Sequence, residues 1–147
     1  MDSIIPKENM RVHQPAAGWR EAIRCAGAVL EARGSIAKAY TEAMISAVEE
    51  LGPYMVIMPG FAIAHAAPSP AVRKEDMALI TLAQPVNFGS PNDPVSVILC
   101  VACVDRESHV KALQRVAVAL DDETSVQRMA AAGTVEQLYQ VLHSIEK

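Results

Sequence analysis

The sequence predicts an α/β protein in which one sheet is covered by helices on both faces. Two nearly continuous apolar runs, Met77–Ala83 and Val95–Val104, are typical of strands buried on both sides. Segments with apolar residues at helical spacing precede and follow these runs. With 147 residues and 51% hydrophobic side chains, the chain is long enough for one core, so we expect a single domain over residues 1–147.

The first segments predict a strand and then a helix. Residues 1–9 are polar and irregular, and we expect them to be poorly ordered. Met10–Gln14 alternates apolar and polar residues, as a short edge strand does. From Trp19 the apolar residues recur at helical spacing until Gly34, a residue suited to the end of a helix.

A second helix and two short apolar segments come next. Ser35 is the predicted N-cap of this helix, and Gly52-Pro53 ends it. Tyr54–Met58 predicts a short strand that ends at the turn pair Pro59-Gly60. Phe61–Ala64 is also apolar, so this region contributes either one strand or two.

The middle of the chain predicts two further strands with loops between them. Ala67–Asp76 is interpreted as a loop, and Met77–Ala83 as a strand. Gln84–Pro94 contains three prolines and predicts a long surface connection. Val95–Val104 is then the predicted central strand.

Three helices complete the chain. Asp105 is the predicted N-cap of the first, and a short helix covers about Glu123 to Ala132. Thr134–Gln137 fits a capping box that opens the last helix. The order is a strand, two helices, three or four strands and three helices, which we write as β-α-α-β-β-β-α-α-α.

Composition and missing motifs exclude several functions. The net charge of -4 gives no basic face for nucleic acid. We find no stretch of the ~20 apolar residues that a membrane span needs and no signal peptide, so we expect a cytoplasmic protein without direct membrane insertion. The sequence lacks the common phosphate-loop, dinucleotide, zinc-protease and nucleophile-elbow motifs.

The three cysteines predict packing roles. Their number is odd and they lie in apolar segments, which indicates reduced thiols rather than a disulfide framework. Cys100 and Cys103 form a CxxC motif, but residues three apart in a strand point to opposite faces. We therefore interpret both as small buried hydrophobic residues and expect no metal site.

Four histidines remain as candidates for chemistry. His13 and His143 are interpreted as structural, because they lie on a predicted edge strand and a C-terminal helix. His65 follows an apolar strand, and His109 lies in the first turn of the helix after another strand. Open α/β sheets bind ligands beyond strand ends. The residues alone leave open whether His65 and His109 share a site or are unrelated side chains near loops.

The residues around these two histidines resemble a known family. Gly52–Ala66 (GPYMVIMPGFAIAHA), with Tyr40–Met44 before it, is similar to the active-site region of enzyme IIA components of the bacterial phosphoenolpyruvate-dependent sugar phosphotransferase system. The resemblance is to the mannitol/fructose superfamily, and most to its ascorbate-type branch. Asn92–Val95 (NDPV) and Asp105–Ala112 (DRESHVKA) extend the likeness over nearly the whole chain from Met10.

The resemblance implies a fold and a function. The fold is a three-layer α/β/α sandwich with a mixed sheet of parallel and antiparallel strands. His65 is the phosphorylated nucleophile, and His109 stabilises the phosphoryl group without cofactor or metal. The implied donor is the histidine phosphocarrier protein HPr, and the acceptor is a cysteine of a IIB component for uptake of an ascorbate-like substrate. A homodimer is left open.

Two residues depart from the family pattern. Ala67 stands where ascorbate-type members often carry an arginine, and Glu49 stands where mannitol-type members have a helical arginine. Basic residues nearby that offer a replacement charge are Arg73, Lys74, Arg106 and Lys111. Two alternatives therefore stay open: a regulatory module that binds a transcription factor or transporter according to its phosphorylation, and a remnant that is not phosphorylated.

Overall fold

The computed structural model describes residues 5–119 and 123–145. Five strands and five helices are named here in chain order. They are β1 (Met10–Gln14), α1 (Trp19–Ala32), α2 (Lys38–Leu51), β2 (Val56–Met58), β3 (Phe61–Ala64), β4 (Asp76–Val86), β5 (Val95–Ala102), α3 (Arg106–Ala119), α4 (Glu123–Ala131) and α5 (Val135–Ile145). Four strands, rather than the three of the β-α-α-β-β-β-α-α-α order, therefore lie between the two groups of helices.

The five strands form one mixed sheet in the order β1-β4-β5-β3-β2. The pairs β1–β4 and β3–β5 are parallel, whereas β4–β5 and β2–β3 are antiparallel. The prediction that β1 is an edge strand and β5 is central is confirmed. Because β3 and β5 are parallel neighbours, the segments that follow them leave the sheet at the same edge.

Helices cover both faces of this sheet. On one face α1 and α2 bury residues such as Ile23, Leu30 and Met44 against the strands. On the other face α4 and α5 bury Val126 and Leu138. The three-layer α/β/α sandwich is thus confirmed. No helix in the described part of the chain has the length and apolar character of a membrane span.

The extra strand comes from a turn at Pro59-Gly60. Gly60 has a φ of 79°, a left-handed conformation that glycine adopts without the steric penalty of a side chain. The turn lets Val56–Met58 fold back antiparallel to Phe61–Ala64, with Val56 opposite Ala62. The apolar segments on either side of the turn are therefore two strands joined as a hairpin.

The connection between β4 and β5 is shorter than predicted. β4 continues through Pro85 to Val86, which pairs with Val95. Pro85 lies beyond the last residue of β4 that pairs with β1, so its missing N–H is tolerated. Phe88 then turns inward and packs on the Trp19 ring at 5.9 Å between centroids. This aromatic contact lies at the sheet end opposite the one that β3 points to.

One local prediction near the N-terminus, the cap of α2, is wrong. Residues 1–4 of the segment expected to be poorly ordered lie outside the described part of the chain, but Lys7–Asn9 forms a 3-10 turn with Asn9 buried. Ser35 does not cap α2, whose N-cap is Ala37 without a side-chain bond. The Ser35 hydroxyl instead donates to the Asp76 carboxylate, to which Asn9 also donates.

Candidate functional site

His65 lies directly beyond the end of β3. The four residues Phe61–Ala64 are all buried, and they pair in register with β5 from Phe61↔Val97 to Ala64↔Cys100. The apolar run keeps β3 inside the sheet, and the chain leaves the sheet where the polar imidazole begins. His65 is half-buried at this edge.

His109 reaches the same edge on α3. Asp105 caps this helix as predicted, since its carboxylate accepts hydrogen bonds from the Ser108 N–H at 2.8 Å and the Ser108 hydroxyl at 2.6 Å. The cap places His109 in the first turn. The His65 and His109 ring centroids are 5.2 Å apart with planes inclined by 50°. The structure therefore brings the two predicted residues together.

A hydrogen bond determines which nitrogen of His65 carries the proton. Nδ1 lies 2.8 Å from the Ile63 carbonyl oxygen. A carbonyl oxygen only accepts hydrogen bonds, so Nδ1 is the donor and holds the hydrogen of the neutral ring. The lone pair of neutral His65 is consequently on Nε2.

Burial favours the neutral form of both rings. Desolvation lowers the pKa of His65 below 6.5, and the neighbouring His109 lowers it further, while the bond to Ile63 opposes the shift. Desolvation also lowers the pKa of His109. Nδ1 of His109 is buried and has no hydrogen-bond partner among the described residues, so contact with an incoming group falls to its Nε2.

Two tyrosines that the sequence analysis did not single out hold the backbone at His65. The Tyr54 hydroxyl donates to the His65 carbonyl oxygen at 2.9 Å, and its ring meets the imidazole edge-on at 5.1 Å. The Ala66 N–H donates to the buried Tyr40 hydroxyl at 3.0 Å. That hydroxyl also lies 3.1 Å from the Ala66 oxygen and 3.0 Å from the Val101 oxygen. Both tyrosines fall within the segments that carry the family resemblance.

The charges around the site differ from the family pattern. Glu49, in the place of the helical arginine, forms an ion pair with Arg20 at 3.1 Å. Lys111 pairs with Glu107, also at 3.1 Å. The three other basic candidates are exposed. Within residues 5–119 and 123–145, none of them forms a hydrogen bond with His65 or His109. These three are Arg73, Lys74 and Arg106.

The remaining candidate residues lie elsewhere. His13 is on β1 and donates its backbone N–H to the Thr81 hydroxyl. His143 stacks on Tyr139 of α5. Both therefore lie on elements that do not contribute to the His65 edge.

The cysteines have the packing environment that the strand pattern predicts. Cys100 belongs to the core under α1 and α2, whereas Cys103 belongs to the core under α4 and α5. Their side chains therefore lie on opposite faces of the sheet, as predicted. Burial raises the pKa of Cys100 to about 12 and that of Cys103 to about 11, which keeps both thiols protonated near neutral pH.

Comparison with known structures matches this fold to sugar phosphotransferase components. A putative PTS IIA protein, PtxA, from Streptococcus mutans is 27% identical and superposes with a TM-score of 0.86, covering 95% of this chain and 90% of that one. The complex of enzyme IIAMTL and phosphorylated enzyme IIBMTL from Escherichia coli is 25% identical, with a TM-score of 0.82 and coverage of 95% and 97%.

Sequence comparison gives the same result. The ascorbate-specific PTS system EIIA component of Escherichia coli strain K12 is 30% identical over 143 residues, which cover 96% of this chain and 93% of that protein. The family model of the phosphoenolpyruvate-dependent sugar phosphotransferase system, EIIA 2, matches residues 3–145. Proteins of this family act as phosphotransferases in sugar uptake. The chain therefore belongs to the EIIA 2 family of the phosphoenolpyruvate-dependent sugar phosphotransferase system.

Proposed function

We propose that this protein accepts a phosphoryl group from the histidine phosphocarrier protein HPr on Nε2 of His65 and passes it to a cysteine of a IIB component in the cytoplasm. The observation that carries the proposal is the hydrogen bond from Nδ1 of His65 to Ile63, because it leaves the Nε2 lone pair free. A neutral imidazole attacks phosphorus without a separate base.

Each transfer exchanges one bond to phosphorus for another. In the first, the Nε2–P bond of His65 forms as the N–P bond of the donor's phosphohistidine breaks, and the electron pair of that bond returns to the donor ring. In the second, a cysteine thiolate of the IIB component forms an S–P bond as the Nε2–P bond breaks. His65 ends neutral with its proton on Nδ1, so neither transfer consumes a proton from this protein.

His109 is the proposed donor to the phosphoryl oxygens. Its ring lies 5.2 Å from that of His65 between centroids, close enough to flank a group attached to Nε2. Phosphoryl transfer depends mainly on alignment and on donors to the equatorial oxygens.

The shape of the site favours a protein as the donor. A cavity of about 640 Å³ lies beside α3 and a second of about 220 Å³ lies beside α4, but neither His65 nor His109 lines them. Exposed apolar side chains lie on the segments that carry the two rings: Tyr54 touches His65, and Val110 follows His109. Exposed apolar side chains beside the two rings suit docking of another protein's reactive side chain.

The proposed transport substrate is ascorbate or a chemically similar compound. This choice of substrate rests on the ascorbate-specific relatives, which are 30% identical over 143 residues. The substrate itself does not contact this protein in the proposed sequence, because the phosphoryl group passes through the IIB component. Substrate choice therefore depends on other components of the system.

Intact-mass measurement tests the proposal. The protein is incubated with phosphoenolpyruvate and the two general phosphotransfer proteins at neutral pH. We expect one added phosphate that is lost in acid, as phosphohistidine is, and none on His65→Ala. His143→Ala is the matched control and should be labelled like the natural protein. An acid-stable phosphate, or labelling of His65→Ala, would show that the proposed chemistry is wrong.

A further inference from the structure

We propose that Tyr40 and Tyr54 act together as positioning residues that clamp the peptide bond between His65 and Ala66. This inference rests on the proposed role of His65 as nucleophile. The two hydroxyls hold opposite sides of one peptide plane: Tyr54 donates to its C=O at 2.9 Å, and Tyr40 accepts from its N–H at 3.0 Å. We call these two residues the tyrosine clamp.

The two tyrosines approach this peptide from different parts of the fold. Tyr40 lies in the first turn of α2 and is fully buried, and its hydroxyl also reaches the Val101 oxygen of β5. Tyr54 lies between α2 and β2 and is 37% exposed. The peptide is therefore anchored to the rigid centre of the sheet on one side and to the rim of the site on the other.

A fixed peptide plane has a direct consequence for the imidazole. The His65 ring bonds back to the Ile63 carbonyl, two residues earlier, and this bond requires one side-chain conformation of His65. The Tyr54 hydroxyl, bonded to this peptide, holds the Tyr54 ring edge-on against the imidazole at 5.1 Å, so rotation of the His65–Ala66 peptide loosens the contact that keeps the imidazole in place. Without the Ile63 bond, the proton is free to move to Nε2, which removes the attacking lone pair.

The chain offers substitutions that remove each hydroxyl and little else. Tyr54→Phe keeps the ring against the imidazole, and Tyr40→Phe keeps the buried ring. Tyr139→Phe is the matched control, because Tyr139 lies on α5 and stacks on His143. Should Tyr40→Phe fold poorly, Tyr54→Phe still decides the question, since its hydroxyl is at the rim.

The first measurement is nitrogen-15 NMR of the His65 ring in the unphosphorylated protein. We expect the natural protein and Tyr139→Phe to show mainly the Nδ1–H tautomer, and each clamp variant to gain the Nε2–H tautomer. Unchanged ring signals in either clamp variant that folds would overturn the proposal. This readout needs no phosphoryl transfer, so it decides the clamp even if the natural protein proves not to be phosphorylated, which would refute the proposed function instead.

The second measurement is the rate of phosphorylation by the phosphocarrier. We expect each clamp variant to lose about tenfold or more in kcat with little change in KM, since misalignment of a reacting group costs up to about a hundredfold. The double variant should be little slower than the slower single variant, because both hydroxyls hold one peptide. Losses that simply multiply, or an equal loss in Tyr139→Phe, would contradict the clamp.

Discussion

His65 and His109 lie with ring centroids 5.2 Å apart, yet the chain holds them in different ways. His65 is held by its ring nitrogen and by both sides of its following peptide. His109 depends on the first turn of a helix, and its buried Nδ1 has no partner among the described residues. In the proposed reaction, the attacking atom must be aligned before the bond forms, whereas a hydrogen-bond donor can adjust to the phosphoryl oxygens.

The largest effect, on the rate of phosphoryl transfer, is expected from removing His109, the ring with fewer supporting contacts. His109→Ala should still accept phosphate on His65, but about thirtyfold to a thousandfold more slowly, because one donor to a charged oxygen contributes about 2 to 4 kcal/mol. His109→Gln should recover part of the rate, since its amide also donates. Quenched-flow transfer from the phosphocarrier measures both. A rate for His109→Ala equal to that of His143→Ala would show that His109 is only a surface residue.

The next largest effect is expected on the free energy of unfolding, when a hydrogen bond that supports His65 is removed. Tyr40→Phe leaves the Ala66 N–H without its buried partner, so the free energy of unfolding should fall by about 1 to 3 kcal/mol. Burial keeps the Tyr40 hydroxyl protonated by raising its pKa, so the loss should not depend on pH near neutrality. Urea unfolding followed by circular dichroism measures this change. Tyr54→Phe should lose less, because that side chain is partly exposed, and an equal loss would contradict this ranking.

A smaller effect is expected from weakening the support of His109. Asp105→Ala removes the acceptor for the Ser108 N–H and hydroxyl, so the first turn of α3 should fray. The transfer rate should fall by less than about tenfold, since the imidazole remains and one cap has a modest effect. Hydrogen exchange of the amides from Arg106 to His109 should accelerate. Asp105→Asn, which caps equally well, is the control and should restore slow exchange.

The smallest effect is expected from pH between 7.5 and 6.5. Burial lowers the pKa of both rings, so they stay neutral in this range and the transfer rate should remain nearly level. The unfolded chain binds more protons than the folded one once the pH falls below 6.5, so stability should decline there and continue to decline through the lowered pKa. Rates and urea midpoints measured along the same pH series test this. A rate that already falls between pH 7.5 and 7 would contradict a lowered pKa of His65.

Most of the fold could be predicted from the sequence, because local patterns and tertiary structure agree. Apolar runs marked β3 and β5, and the cap at Asp105 placed His109 at the start of a helix. Strand adjacency was not readable from these patterns, so the pairing of His65 with His109 stayed open until the parallel register of β3 and β5 was known.

Sequence patterns did not predict the side-chain contacts between residues that are far apart in the chain. Ser35 looks like a helix cap, but its hydroxyl is used by Asp76, 41 residues away. The Tyr40 hydroxyl finds its partner 26 residues away at Ala66, a separation that no periodicity reports. Phe88 lies in a segment rich in prolines, yet it is buried against Trp19. The tyrosine clamp could therefore not be predicted from the sequence, since only the structure shows Tyr40 and Tyr54 at the same peptide bond.

The aromatic contact between Trp19 and Phe88 has a practical consequence. Trp19 is the single tryptophan of the chain, so its fluorescence comes from one known place. Phe88 lies in the loop before β5, at the sheet end opposite the two histidines, and the Arg20 guanidinium lies 4.4 Å above the indole. Unfolding separates Phe88 from the indole, whereas chemistry at His65 leaves this contact in place. The tryptophan emission of this protein should therefore change on unfolding but not on phosphorylation.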